Sequence, residues 1–154
     1  MTGEVDESSV ELEVPARPEF VGLVRLVVAT LAASRRELAE DRVDDLRLAV
    51  SEATTNAVES YRKPSPDHRV TIRWRDGSDR LELAITDRGS GFDPEGLPPH
   101  PPVTDAERLN FERGLGVPLI KTMVDEAFFE STDEGTIVRM VMYCGPREEP
   151  DVGF

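Results

Sequence analysis

From Ser8 to Val14 the chain alternates polar and apolar residues, the period of a strand with one buried face. Pro15 and Pro18 interrupt that run. Beyond them Phe20, Leu23, Val24, Val27, Val28 and Leu31 recur at helical spacing, which predicts a first helix from Glu19 to about Leu38. Val21, Leu26, Ala29 and Ala32 widen its apolar stripe past the roughly 100° that a core-facing helix needs. Such a helix is either buried on two sides within the domain or meets a partner or a second copy.

Asp41 is placed to cap a second helix, and Asp44 supplies an acidic first turn, so this helix is expected from near Arg42 to about Arg62, before Pro64-Ser65-Pro66. Arg69–Arg75 and Arg80–Asp87 read as strands, and Asp76-Gly77-Ser78-Asp79 between them reads as a hairpin turn. A proline-rich stretch follows, with neither the strand nor the helix period, up to about Arg113. A loop of that length within a domain is usually functional or disordered. A third helix is expected after Gly116, with Pro118 tolerated in its first turn. Glu126–Ser131 and Thr136–Tyr143 form a second predicted hairpin. This order predicts an α+β fold, a two-layer sandwich with helices on one face of a mixed, largely antiparallel sheet. The domain is expected to span residues 8–143, with 1–7 and 144–154 as flexible tails.

Composition narrows the setting. A chain of 154 residues is long enough for one domain around a single core. One cysteine, Cys144, excludes an internal disulfide, and the net charge of −13 opposes nucleic acid because no basic patch interrupts it. The acidic start lacks the regions of a secretory signal, and no apolar run reaches membrane-spanning length. These features predict a cytoplasmic protein with protein or nucleotide partners, binding neither nucleic acid nor membrane.

Three groups of residues carry candidate chemistry. Glu52 and Asn56, four apart, share a helix face. A carboxylate can take a proton from a hydroxyl, and an amide oxygen can ligate a hard cation without adding negative charge beside phosphates. Asp87-Arg88-Gly89-Ser90-Gly91 follows a strand: the glycines allow close approach to a flat ligand, and the carboxylate can accept from an exocyclic amine. Gly114-Leu115-Gly116 opens a helix, where free N–H groups favour an anion. Taken singly, each group is also compatible with an ordinary helix surface, a turn or a hinge.

Glu52-x-x-x-Asn56, Asp87-x-Gly89-x-Gly91, Gly114-x-Gly116 and Gly135-Thr136, in this order, resemble the ATP-binding boxes of the GHKL (Bergerat-fold) superfamily. Within it, Ser51-Glu52-Ala53-x-Thr55-Asn56-Ala57 and Arg113-Gly114-Leu115-Gly116-x-x-Leu119-Ile120-x-x-x-Val124-Asp125-Glu126 are similar to the anti-sigma-factor serine/threonine kinases. The resemblance implies that Glu52 is the general base and that Asn56 holds Mg²⁺ against the triphosphate of ATP. Asp87 would recognise adenine, with Gly89, Gly91 and Thr136 shaping its surroundings. Gly114, Leu115 and Gly116 would end an ATP lid spanning about 93–113 and meet the phosphates of ATP or ADP. It also implies a homodimer that sequesters a sigma factor and phosphorylates a serine of a STAS-type anti-anti-sigma protein. Arg25, a lone positive charge in the apolar first helix, is the candidate partner contact.

Two departures from the family pattern stand out. Ser60 occupies the position four residues after Asn56, where relatives often carry histidine. The lid segment contains Pro98-Pro99-His100-Pro101-Pro102. Two other readings share these boxes: a nucleotide-binding module that sequesters a partner without transfer, and a stand-alone histidine-kinase-type domain. Neither His68 nor His100 lies on a predicted helix of the kind that carries a phospho-acceptor.

Overall fold

The computed structural model describes residues 8–61, 63, 65–89 and 116–145. Its elements are β1 (Ser8–Pro15), a short 3₁₀ turn (Pro18–Phe20), α1 (Val21–Ala33), α2 (Glu40–Glu59), β2 (Arg69–Asp76), β3 (Arg80–Asp87), α3 (Gly116–Met123), β4 (Glu126–Thr132) and β5 (Gly135–Tyr143). The strands form one sheet in the order β1-β2-β3-β5-β4. Every described pairing is antiparallel, so the expected sheet is antiparallel throughout these strands and not mixed.

Strand alternation sets the two faces of the sheet. Val70, Ile72 and Trp74 of β2, Leu81, Leu83 and Ile85 of β3, and Val138, Met140 and Met142 of β5 point into the core. The alternate positions Arg73, Arg75 and Arg139 are exposed on the uncovered face. Asp87 continues the inward set of β3, so a carboxylate stands at the end of an apolar row and is itself buried.

α2 is the central helix and packs on α1, α3 and β3. Val43, Leu46, Val50, Ala53 and Ala57 form its buried stripe, and the small Ala49, Ala53 and Ala57, one turn apart, allow neighbouring backbones to approach closely. It starts earlier than the sequence suggests. Ala39 is the N-cap, with extended backbone and no side-chain cap, whereas Asp41 lies inside the first turn, where its charge complements the helix dipole.

α1 also ends short of the predicted Leu38. Its periodic stripe stops at Ala33 because Arg35 is drawn away from the helix into a buried polar cluster. Arg35 pairs with Asp76 and Glu37 and donates to the carbonyls of Gly77, Ser78 and Gly145, tying the α1–α2 connection to the β2–β3 turn and the end of β5. Val24, Val28, Ala29 and Ala32 are buried in α1, while Leu23 and Leu26 are 44% and 64% exposed. Among the described residues, the widened stripe is therefore covered on one side only.

In the first turn of α2, Arg42 donates to Asp45 and Asp125 at 2.8 Å and to the Met123 carbonyl at 3.1 Å. Asp125 in turn accepts from the Tyr143 backbone N–H at 2.7 Å. This bracket fixes the C-terminus of α3 against α2 and β5, and it accounts for an aspartate between α3 and β4.

Candidate nucleotide site

Glu52 and Asn56 lie half-buried on α2, flanked by the buried Ala53, Thr54 and Ala57. Ser60 caps the helix, and its N–H donates to the Asn56 carbonyl at 2.9 Å. The Thr54 hydroxyl is buried and finds no hydrogen-bond partner among the described residues.

The C-terminus of α2 meets the end of β3. Ser60 crowds Gly89: a β-carbon on Gly89 would lie 2.5 Å from the Ser60 hydroxyl oxygen and 3.1 Å from its carbonyl carbon and oxygen. The family departure at Ser60 is thus the packing surface for the first glycine of the Asp87 box. Gly89 donates its N–H to Asp87 Oδ1 at 3.0 Å, which fixes the carboxylate relative to the turn. Asn56 lies one helical turn before Ser60 on the same face of α2.

Across the sheet, Asp87 is the register partner of Thr136, which places both residues on one face at the end of the β3–β5 pair. Gly135 packs onto the backbone of Asp87 and Arg88. Its φ of +139° is unfavourable for side chains, and any β-carbon there would overlap the Asp87 carbonyl. Gly135 and Thr136 therefore serve different purposes: one admits the neighbouring backbone, the other faces the same space as Asp87.

Sequence reading missed Tyr61. Its hydroxyl donates to the Arg69 carbonyl at 2.6 Å and accepts the Arg88 N–H at 2.8 Å, while its ring stacks on His68 with centroids 4.2 Å apart. Burial pushes the phenol pKa up, opposed by the Arg88 N–H bond, so the group remains the donor these contacts require. No local motif signals this contact, because its partners are brought together by tertiary folding.

The structure brings Asp87, Gly89 and Thr136 together at one end of the sheet, where Ser60 packs on Gly89, and it places Glu52 and Asn56 half-buried on α2, the helix that Ser60 caps. Gly116 is the first residue of α3, whose far end is held by the Arg42–Asp125 bracket. Gly91, Gly114, Leu115 and the lid segment lie outside the described residues, as do the expected tails beyond Gly145 and before Ser8. Arg25 is exposed on α1, away from this cluster in sequence and element. Among the described residues there is no group of three or more His, Cys, Asp or Glu side chains able to hold a metal unaided. The Asn56 amide oxygen is a hard donor of the kind Mg²⁺ accepts, so it fits as one protein ligand of an ion otherwise held by substrate phosphates and water. No described helix is long and apolar enough to cross a membrane.

Comparisons with known proteins converge on one family. The model of the histidine kinase-like ATPase domain matches residues 14–142. The chain is 38% identical over 147 residues to the serine-protein kinase RsbW of Bacillus subtilis, covering 92% of this chain and 90% of that protein. It is 35% identical over 143 residues to the RsbW of Listeria innocua, covering 90% of this chain and 89% of that protein. Among solved structures, the RsbU and RsbW domains of Rv1364c from Mycobacterium tuberculosis superpose with a TM-score of 0.59 at 18% identity, covering 93% of this chain and 35% of that one. The mycobacterial sensor histidine kinase MprB gives 0.50 at 20% identity, covering 89% of this chain and 99% of that one. At those identities the structural likenesses speak for the fold.

Proposed function

The chain belongs to the histidine kinase-like ATPase domain family, and from that membership we infer that it is an anti-sigma factor that uses ATP to phosphorylate a serine of a protein antagonist. The observation that carries this reading is the meeting of α2 and β3. One helix turn bears Glu52 and Asn56, and its C-terminus is packed by Ser60 onto the turn that holds Asp87.

Phosphoryl transfer needs positioning and charge neutralisation more than covalent help from the protein. Asp87 accepts from the adenine amino group and Thr136 borders the same edge. Gly114, Leu115 and Gly116 are assigned to the phosphates on the family resemblance, and helix α3 begins at Gly116. Asn56 would hold Mg²⁺ through its amide oxygen, and the ion would supply charge neutralisation to the triphosphate. Glu52 takes the proton of the incoming serine hydroxyl as its oxygen attacks the γ-phosphorus; ADP leaves and the phosphoserine remains on the antagonist. The partners are a sigma factor and a STAS-type anti-anti-sigma protein. The exposed Leu23 and Leu26 of α1, with Arg25 between them, support a contact with one of these or with a second copy of the chain in a cytoplasmic homodimer.

Incubation with labelled ATP, Mg²⁺ and candidate antagonists tests the reading. Label should pass to serine with the wild-type chain and not with Glu52→Ala or Asn56→Ala. Nucleotide binding without transfer to any cognate antagonist would instead make the chain a sequestering module. Arg25→Ala should weaken partner capture and leave ATP binding unchanged.

A further inference from the structure

The segment Asp87-Arg88-Gly89 is held at successive backbone groups. Gly135 presses on the carbonyl of Asp87, and Ser60 packs on Gly89. The two N–H groups between those contacts also have partners: Arg88 N–H donates to the Tyr61 hydroxyl at 2.8 Å, and Gly89 N–H donates to Asp87 Oδ1 at 3.0 Å. The Tyr61 bond is made by a hydroxyl that phenylalanine removes without filling space or altering backbone freedom.

We propose that Tyr61 is a positioning residue for adenine recognition, setting the direction of the Asp87 carboxylate through the peptide group it binds at Arg88. The proposal rests on the reading of Asp87 as the adenine-binding group. Asp87 Oδ1 is bonded to Gly89 N–H, so the plane of the carboxylate follows the orientation of the 88–89 segment. Tyr61 fixes the peptide immediately before that segment. The phenol is itself fixed at two further points, by donation to the Arg69 carbonyl at 2.6 Å and by stacking on His68 at an interplanar angle of 19°. A hydroxyl so constrained has little rotational freedom left to lose, and it holds Arg88 N–H at a defined point in space. Because Tyr61 directly follows the end of α2, the same residue links the helix bearing Glu52 and Asn56 to the strand end bearing Asp87.

A base amine and a carboxylate oxygen discriminate by direction as well as by charge, since a hydrogen bond weakens steeply as its angle falls. Misdirecting Asp87 therefore reduces preference for a base with an exocyclic amine. It has less effect on a base that offers a carbonyl there. A staple that merely holds the 60–69 connection to the sheet would affect all nucleotides alike.

The test uses the full chain with Mg²⁺, measuring dissociation constants for ADP and inosine diphosphate by calorimetry alongside thermal midpoints. The wild-type chain should prefer ADP. Tyr61→Phe, which keeps the stacked ring and removes the hydroxyl, should weaken ADP about five- to tenfold, the loss of one hydrogen bond, and change inosine diphosphate by less than about twofold. Tyr61→Leu should show the same loss of selectivity with a lower thermal midpoint. Equal losses for both nucleotides, or unchanged ADP affinity in Tyr61→Phe, would overturn the proposal while the ATP reading stands. A wild-type chain that binds neither nucleotide, or both equally, would remove the adenine role of Asp87 and this proposal with it.

Discussion

The Ser60 hydroxyl stands 2.5 Å from the point where a β-carbon on Gly89 would lie. Gly89→Ala is therefore expected to destabilise the protein by about 1–3 kcal/mol through overpacking. It should also weaken ADP binding, because the Gly89 N–H holds Asp87. Denaturant titration and ADP calorimetry measure the two effects. Adding Ser60→Gly should recover only part of the loss, since the Ser60 carbonyl atoms remain 3.1 Å from the same point.

Gly135→Ala should be more damaging than Gly89→Ala. Its β-carbon would overlap backbone, not a movable side chain, and its φ of +139° disfavours any side chain. A loss of at least about 2 kcal/mol is expected from strain and overlap together. An unchanged denaturation midpoint for Gly135→Ala would contradict this packing.

Arg35 offers a contrast between stability and binding. Its guanidinium is buried, paired with Asp76 and Glu37, and bonded to three carbonyls. Arg35→Ala should cost about 3–5 kcal/mol by stranding those partners. The cluster joins the β2–β3 turn, at the opposite end of β3 from Asp87, so ADP affinity of the remaining folded fraction should be unchanged. Chemical denaturation and calorimetry separate these outcomes.

Tyr61 predicts an alkaline dependence of stability. Burial raises its folded-state pKa above the ordinary 10.0, so the unfolded chain loses this proton first as pH rises. Its contribution is fully present below that ordinary value and is lost as pH climbs through the raised one. Replacement by phenylalanine should make the fall in stability above pH 10 shallower, which denaturation at a series of alkaline pH values would reveal. An unaltered slope would show that the phenol does not ionise differently in the two states.

The fold was largely legible in the sequence, since period-two runs and the Asp76-Gly77 turn announce β2 and β3, and the stripe from Val43 to Ala57 announces α2. The end of α1 was not, because Arg35 leaves the helix for carbonyls more than forty residues away, and periodicity carries no trace of them. The start of α2 was misplaced for a related reason: Asp41 has the chemistry of a cap, but the chain turns into helix at Ala39 without one. Among the candidate site residues, Asp87 and Gly89 could be named from local pattern and Thr136 from the family resemblance, and the register places Asp87 opposite Thr136. Ser60 could be seen only as a departure from relatives. Its contact with Gly89, and that of Tyr61 with Arg88, arise from packing the end of a helix on the end of a strand.

The strand order bears on how such a chain can diverge. β5 lies between β3 and β4, so the chain leaves the sheet after β3, returns through α3 to the outer β4, and only then fills the place beside β3. The end of β3 and the junction of α3 with β4 are each fastened independently, one by Tyr61 and Gly135, the other by Arg42 and Asp125. The two neighbours of β5 thus come from separate stretches of sequence with separate fastenings, and a substitution that loosens one leaves the other in place.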